Sequence, residues 1–283
     1  MTAQIIRSLS EVAPRYGALL CDVWGCYHDG VAPYPAAVAA LRAFRAQGGV
    51  VLLLTNAPRP ASAVRAHLLS MGAPEDSWDA IVTSGDAARN EVASGRMGAR
   101  VEHVGPERDL PFFDGLSVAR VGRDAAESVV LTGLFDDETE TPEDYAAAIA
   151  DWRDRDLPML CCNPDVVVHR GPRLLYCAGA IAQAYEAAGG RVVQAGKPHP
   201  PIYRLAAEVL AARGATGRVL AIGDGVATDI AGAAAQGIDT LFVAGGLAAA
   251  ELSDDPETPD PARLGPWLAR HGAAPAYVIG RLR

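Results

Sequence analysis

Short, mostly apolar runs alternate with segments of helical periodicity in two stretches of this chain, and this alternation constrains the fold more than any other feature. The runs that predict strands cover residues 17–21, 50–54, 80–83, 191–194, 218–223 and 239–244. The segments that predict helices cover residues 35–47, 60–71, 201–213 and 228–236. Strands that are apolar throughout and separated by helices are typical of parallel sheets with right-handed crossovers. The sequence therefore predicts an α/β fold built on a Rossmann-like parallel-sheet core.

The middle of the chain interrupts this rhythm and predicts a second α/β domain. Its strands and helices are expected at residues 100–104, 128–131, 142–152, 158–162 and 178–188. Insertion of a domain into a loop between two strand ends is well tolerated. We therefore expect a discontinuous core domain with a second domain inserted over the edge of its sheet. The expected bounds are 1–84 and 190–283 for the core and 85–189 for the insert.

Polar residues that suit a phosphate and a divalent cation follow four of the predicted core strands. These residues are Asp22, Thr55, Asn56, Lys197, Asp224 and Asp229. Because the carboxyl ends of parallel strands share one edge, where α/β proteins bind ligands, we expect these side chains to converge. Carboxylates bind Mg²⁺, a hydroxyl and an amide can hold phosphoryl oxygens, and a fixed lysine neutralises phosphoryl charge. Taken singly, each residue is also explained as a turn, a helix cap or a solvated surface group.

The charge and the composition exclude several classes of function. A net charge of −9 opposes binding to a nucleic-acid backbone, whereas local cations and a bound metal still permit a small phosphorylated ligand. No apolar run reaches the roughly 18 residues of a membrane helix, and the N-terminus lacks the features of a signal peptide. We therefore expect a cytoplasmic protein that binds neither nucleic acid nor membranes.

The five cysteines do not predict a disulfide framework, because their number is odd and most of them lie in apolar strands. The neighbouring Cys161 and Cys162 lack the spacing of zinc ligands. We expect buried, reduced thiols. Cys26 lies close to Asp22 in sequence, but nothing in its sequence context marks it as a nucleophile.

The order of the polar motifs, which is an acid, Thr-Asn, Lys and Gly-Asp-Gly, resembles that of the haloacid dehalogenase-like (HAD) hydrolase superfamily over nearly the whole chain. The insert, with Thr83-Ser84-Gly85-Asp86 at its start and Asn163-Pro164-Asp165 inside it, is similar to the class II cap of type A. That branch includes sugar-phosphate, nucleotide and p-nitrophenyl-phosphate phosphatases. The resemblance implies a small phosphorylated substrate. It also implies that a homodimer can form, because caps of this type often mediate dimers.

The resemblance assigns the phosphoryl chemistry to residues of the first three motifs. Asp22 would attack phosphorus and form an aspartyl-phosphate. Thr55 and Lys197 would hold the phosphoryl oxygens, and Asn56 lies beside the threonine, where it could help.

The resemblance also implies Mg²⁺ as the cofactor. Asp22, Asp224 and the backbone carbonyl of Trp24 would bind the ion, and Asp229 would either bind it or orient the site. The cap residues that would face the substrate are Asn163 and Asp165.

One position departs from the resembling phosphatases, which carry a second aspartate two residues after the nucleophile. Here that position is Trp24, whose indole donates a hydrogen bond but exchanges no proton at neutral pH. Loss of general acid–base help costs about 10²–10⁴-fold in rate. The cost falls least on substrates with good leaving groups. The residues that could substitute are His28, Asp29 and His199, with His169 in the cap, although each is also explained as a turn or surface residue.

The sequence leaves three functions open. The first is a Mg²⁺-dependent phosphatase of a small phosphorylated metabolite, slowed by Trp24. The second is a phosphate- or metabolite-binding protein of the same fold that has lost turnover. The third is phosphoryl transfer to an acceptor other than water. Dehalogenation is disfavoured, because that metal-free reaction has no use for the Gly-Asp-Gly motif.

Overall fold

The computed structural model describes residues 3–170 and 173–283. The chain forms two compact units, which we call the core unit and the cap unit. The core unit consists of Met1–Thr55, Arg65–Val82 and Tyr203–Arg283, and the cap unit consists of Asn56–Val64 and Thr83–Ile202. Within the described ranges, no helix is both long and apolar enough to cross a membrane.

Strands and helices alternate along most of the chain. The strands are β1 (Gln4–Ile5), β2 (Ala18–Cys21), β3 (Val50–Thr55), β4 (Ala80–Thr83), β5 (Arg100–Val104), β6 (Ala119–Arg120), β7 (Ser128–Leu131), β8 (Met159–Cys161), β9 (Val167–Arg170), β10 (Arg173–Tyr176), β11 (Val192–Gln194), β12 (Val219–Gly223), β13 (Asp239–Val243) and β14 (Tyr277–Ile279). The α-helices are α1 (Pro35–Ala46), α2 (Ala61–Ser70), α3 (Ser84–Ala93), α4 (Ala146–Asp154), α5 (Ala178–Ala187), α6 (Pro200–Ala212), α7 (Ala231–Ala235), α8 (Ala249–Leu252) and α9 (Pro261–Arg270).

A seven-stranded sheet in the order β1-β14-β13-β12-β2-β3-β4 forms the centre of the core unit. Strand β2 pairs in parallel with β12 on one side and with β3 on the other. All four residues of β2 and the four central residues of β3 are buried, as expected for strands covered on both faces. The carboxyl ends of β2 and β12 therefore lie side by side, as the sequence predicts.

Helix α1 illustrates why the predicted helical segments fold as helices. Pro35 occupies its first turn, where the missing N–H has no helical partner to lose, and Gly48 adopts a φ of +87° just beyond its end. Ala37, Leu41 and Phe44 recur at helical spacing and are buried. The apolar face of the helix therefore packs inward. Pro35 favours its start, and Gly48 favours its end.

The cap unit has its own parallel sheet, in the order β11-β8-β7-β5-β6, and a separate antiparallel hairpin of β9 and β10. Its apolar core includes Trp152, Met159 and Tyr185, which are fully buried. The expected boundary at residue 190 does not coincide with this unit. The reason is that Val192–Gln194 pairs with Met159–Cys161 and so extends the cap sheet instead of the core sheet.

Several further segments differ from the predicted elements, among them α3, β6, the β9–β10 hairpin and α9. Helix α9 was not predicted from the sequence, yet Leu264, Trp267 and Leu268 lie on one of its faces and are buried in the core unit. The helix predicted over residues 228–236 begins as a π-helix at Val226–Ile230 and continues as the short α7. This wider turn directly follows the Gly-Asp-Gly motif, and π-helical turns occur frequently at functional sites.

Candidate functional site

Two carboxylates and a thiol meet at the carboxyl edge of the core sheet. Asp22 directly follows β2 and Asp224 directly follows β12, and the Asp22 N–H donates to the carbonyl of Ile222 at 2.8 Å. One ligand atom from each of Asp22, Cys26 and Asp224 lies within 4.8 Å of the other two. The three residues are 9%, 1% and 5% exposed. The parallel pairing of β2 with β12 thus brings together two acids that are far apart in sequence.

Glycines allow the backbone to approach the Asp224 carboxylate closely. Gly25 has a φ of +81°, in the region that favours glycine, and a Cβ at this position would collide with Asp224 Oδ2. A Cβ at Gly246 would collide with the same oxygen. The Leu247 N–H donates to Asp224 Oδ2 at 3.0 Å. Two glycine turns and one backbone donor therefore fix this carboxylate.

Asp229 lies in the π-helix that follows β12, and it is buried. Its Oδ2 accepts a hydrogen bond from the Gly225 N–H at 3.0 Å. Among the described residues, the cluster of atoms within 4.8 Å comprises Asp22, Cys26 and Asp224 and does not include Asp229. In this structure the Asp229 carboxylate therefore fixes the Gly-Asp-Gly turn through the Gly225 N–H.

The predicted phosphate-binding residues lie at the ends of strands in both units. Thr55 is the last residue of β3 and is partly buried. The next residue, Asn56, begins the first segment of the cap unit. Lys197 follows β11 in the same unit, is 3% exposed and precedes a cis peptide bond to Pro198.

Asn56 forms the centre of a hydrogen-bond network in the cap unit. Its Oδ1 accepts from the Lys197 N–H at 2.7 Å, and its Nδ2 donates to the Lys197 carbonyl at 3.1 Å. The same Nδ2 donates to Asp165 Oδ1 at 2.8 Å. A Cβ at Gly196 would collide with Asn56 Oδ1, so glycine is required there for the contact. The sequence predicts that Asn56 contacts phosphate, whereas in this structure its amide atoms hold Lys197 and Asp165.

Asn163 and Asp165 form a local turn after β8. The Asp165 N–H donates to Asn163 Oδ1 at 3.1 Å, and the Cys161 thiol donates to the Asn163 carbonyl at 3.3 Å. The Gly179 N–H at the start of α5 donates to the Asp165 carbonyl at 3.0 Å. The turn is therefore fixed through its own side chains and through the first turn of a helix.

Trp24 packs inside the loop that follows β2. Its ring and that of His28 meet edge to face, with centroids 5.2 Å apart, and its six-membered ring lies against Gly30. The Nδ1 atom of His28 accepts from the Gly30 N–H at 2.8 Å, which places the ring proton on Nε2. Burial lowers the pKa of His28 to about 4. His28 is therefore neutral at pH 7, and its one acceptor nitrogen is already engaged.

Of the other candidate acid–base residues, Asp29 has a structural role in the turn after β2. Asp29 is exposed, and its Oδ1 accepts from the N–H groups of Val31 and Ala32 at 2.8 and 2.9 Å, which lowers the pKa of its carboxyl. Burial lowers the pKa of His199. The side chain of His169 lies outside the part of the chain that the structure describes. His28 and Asp29 thus stabilise the turn after β2 through hydrogen bonds to its backbone.

The donor set fits a divalent cation. Two buried carboxylates on adjacent strand ends are the oxygen ligands that Mg²⁺ takes in proteins, and the glycine turns leave backbone close to them. The third donor is Cys26, which is close to Asp22 in the sequence and for which the sequence predicts no role. Burial, and then the negative charge of Asp224 and Asp22, raises the pKa of its thiol well above its ordinary value. The metal-free thiol is therefore protonated.

Comparisons with known proteins identify similar chains. A model described as haloacid dehalogenase-like hydrolase matches residues 19–118, and one described as HAD-hydrolase-like matches residues 194–264. The crystal structure of a hydrolase of the haloacid dehalogenase-like family from Brucella suis 1330 is 43% identical. It has a TM-score of 0.86 and covers 99% of this chain and 100% of that chain.

Two comparisons concern phosphatases from Mycobacterium tuberculosis. A D-glycerol 3-phosphate phosphatase is 31% identical over 246 residues, which cover 84% of this chain and 66% of that protein. This chain therefore matches just under two thirds of the length of that phosphatase. A structure of a glycerol phosphate phosphatase in complex with magnesium is 28% identical, has a TM-score of 0.68, and covers 96% of this chain and 77% of that one.

Proposed function

The chain belongs to the haloacid dehalogenase-like hydrolase family, and from this premise we propose that it is a Mg²⁺-dependent phosphatase of a small phosphorylated metabolite. The observation that carries the proposal is the meeting of the Asp22 and Asp224 carboxylates at the ends of adjacent parallel strands. The phosphatases among the similar proteins support the reaction class. The magnesium complex of one of them supports the choice of metal.

In the proposed reaction, a carboxylate oxygen of Asp22 attacks phosphorus, and the bond from phosphorus to the leaving oxygen breaks. Water then attacks the aspartyl-phosphate and releases inorganic phosphate, which restores the carboxylate. We assign Thr55 and Lys197 to the phosphoryl oxygens, where the ammonium offsets developing negative charge. When bound by Asp22, Asp224 and the Trp24 carbonyl, Mg²⁺ would supply further charge neutralisation.

The leaving group limits the range of efficient substrates. Within the described turn after β2, the indole of Trp24 exchanges no proton, His28 has a pKa of about 4, and Asp29 is held in its turn. A leaving oxygen that needs a proton therefore gains little help from these residues. We propose that esters with acidic leaving groups are turned over faster than alkyl phosphates, by up to the roughly 10²–10⁴-fold that general acid–base catalysis supplies.

The test is a panel of phosphate esters assayed with Mg²⁺, using p-nitrophenyl phosphate and glycerol phosphates. Wild-type protein should release phosphate from p-nitrophenyl phosphate, and Asp22→Asn should reduce the rate to background. Equal rates in the two proteins would overturn the proposal. The Thr216→Ala variant serves as a control, because Thr216 lies in the turn before β12, at the opposite end of that strand from Asp224.

A second candidate function is a phosphate- or metabolite-binding protein without turnover, and it is favoured by Trp24, whose indole exchanges no proton at the position where the resembling phosphatases carry an aspartate. Stabilisation of the protein against heat by inorganic phosphate with Mg²⁺, together with no phosphate release from any ester, would select this function. Phosphoryl transfer to an acceptor other than water would instead appear as a product ester when alcohols are added to the assay.

We also propose, from the resemblance of the cap, that the protein forms a homodimer and acts without nucleic-acid or membrane partners. Sedimentation velocity over a range of protein concentrations tests the dimer. A single monomeric species at the highest concentration would refute it.

A further inference from the structure

The sulfur of Cys26 lies beside the two carboxylates of the proposed magnesium site, although Mg²⁺ prefers oxygen ligands. Its Sγ lies within 4.8 Å of carboxylate oxygens from both Asp22 and Asp224, and all three side chains are buried. The sulfur belongs to the same turn as Gly25, whose positive φ brings the backbone against the Asp224 carboxylate. The proposed metal site of this chain therefore has two hard donors and one soft donor.

We propose that Cys26 gives this site a second metal-binding mode, in which a thiophilic cation such as Zn²⁺ or Cd²⁺ is held by Asp22, Asp224 and the Cys26 sulfur in competition with Mg²⁺. The inference rests on the metal site of the proposed function but not on turnover. Its consequence is that thiophilic cations occupy and block the site that Mg²⁺ uses.

The chemistry of the donors separates the two kinds of cation. Mg²⁺ takes oxygen ligands in near-ideal octahedral geometry, so it gains nothing from a thiol. Zn²⁺ and softer cations bind thiolate together with carboxylate, and four ligands suffice for Zn²⁺. Binding through Cys26 releases the thiol proton to solvent, because a coordinating thiol is deprotonated.

Hydrogen bonds within the protein fix the turn that carries Cys26, without a contribution from a metal. The Tyr27 N–H donates to the Val23 carbonyl at 2.9 Å, and the Gly25 N–H donates to the His28 carbonyl at 2.9 Å. The Tyr27 hydroxyl is hydrogen-bonded to Ser77 Oγ at 2.8 Å. Because the backbone on both sides is fixed, the sulfur is pre-positioned beside the carboxylates, which reduces the ordering cost of using it.

The test uses the full chain, with Cd²⁺ as the probe and ultraviolet absorption as the readout. Coordination by cysteine sulfur produces a sulfur-to-cadmium charge-transfer band, whereas carboxylates produce none. We expect the band in the wild type and in Cys162→Ser, which removes a buried thiol of the cap unit. We expect Cys26→Ser and Cys26→Ala to lose it and to bind Cd²⁺ at least about tenfold more weakly.

Mg²⁺ provides the internal control for folding and for the site itself. Thermal stabilisation by Mg²⁺ should be the same in the wild type and in at least one Cys26 variant, which shows that the variant folds with an intact oxygen site. A charge-transfer band that persists in that variant, as it would if Cys21 were the ligand, overturns the inference while leaving the phosphatase proposal in place. Absence of any Mg²⁺ response in the wild type overturns the metal site and the proposed function together.

Discussion

Replacement of Asn56 by leucine is expected to destabilise the cap unit and to loosen Lys197. The Asn56 side chain is 4% exposed and makes three hydrogen bonds, at 2.7 and 3.1 Å to the Lys197 backbone and at 2.8 Å to Asp165. Leucine has a similar size and shape but no polar atoms. The substitution therefore removes the hydrogen bonds without opening a large cavity.

The expected loss in free energy of unfolding follows from the hydrogen bonds that are removed and from the Lys197 N–H that is left without an acceptor. A typical hydrogen bond contributes about 1 kcal/mol, and a buried N–H left without an acceptor costs about 1–3 kcal/mol. Two lost bonds and one stranded Lys197 N–H therefore lower the free energy of unfolding by about 3–5 kcal/mol. Because the proposed role of Lys197 depends on a fixed ammonium, phosphatase activity should fall as well.

Urea unfolding followed by circular dichroism measures the free energy, and hydrogen exchange measures protection of the Lys197 amide. The matched control is Asn90→Leu on the exposed face of α3, which should change stability by no more than about 0.5 kcal/mol. Equal unfolding midpoints for the two variants, with the Lys197 amide still protected in Asn56→Leu, would refute the assigned network.

Three further predictions concern Gly246, His103 and Trp24. Gly246→Ala should weaken Mg²⁺ binding, measured by thermal shift, because the added Cβ collides with the Asp224 carboxylate, whereas Gly265→Ala, which meets no atom within 4 Å, should leave binding unchanged. Burial lowers the pKa of His103 from 6.5 to about 4, so its contribution to stability is present above pH 6.5 and is lost as the pH falls towards 4. The slope is at most about 1.4 kcal/mol per pH unit. His103→Gln should flatten that part of the pH–stability curve in urea unfolding, and an unchanged curve would contradict this origin. Trp24→Asp should raise the rate on alkyl phosphates relative to p-nitrophenyl phosphate by up to about 10²-fold, since it restores an acid–base group. An unchanged rate ratio would argue against the role assigned to position 24.

The sequence predicts the central strands of the core because their apolar runs are continuous and end at distinctive polar residues. Strands β2, β3 and β12 lie where the runs indicate, and their parallel pairing brings Asp22 beside Asp224. Helix α9 was missed because Gly265 and Pro266 interrupt its middle, although its buried side chains recur at helical spacing.

Other features depend on pairings that no local pattern encodes. Strand β11 precedes the Lys197 motif much as the core strands precede theirs, and only its hydrogen bonds to β8 assign it to the cap sheet. The amide of Asn56 is occupied by Lys197 and Asp165, both distant along the chain. Cys26 was visible near Asp22, but its distance from the second carboxylate became known only from the fold.

The most direct test of the proposed chemistry is peptide mass mapping after rapid acid quench of the protein with p-nitrophenyl phosphate and Mg²⁺. A phosphoryl group should be found on the peptide containing Asp22, at the Asp22 side chain, and should be absent from Asp22→Asn treated in the same way. Release of p-nitrophenol in an initial burst with the phosphoryl group on another residue, or turnover that persists in Asp22→Asn, would contradict the account.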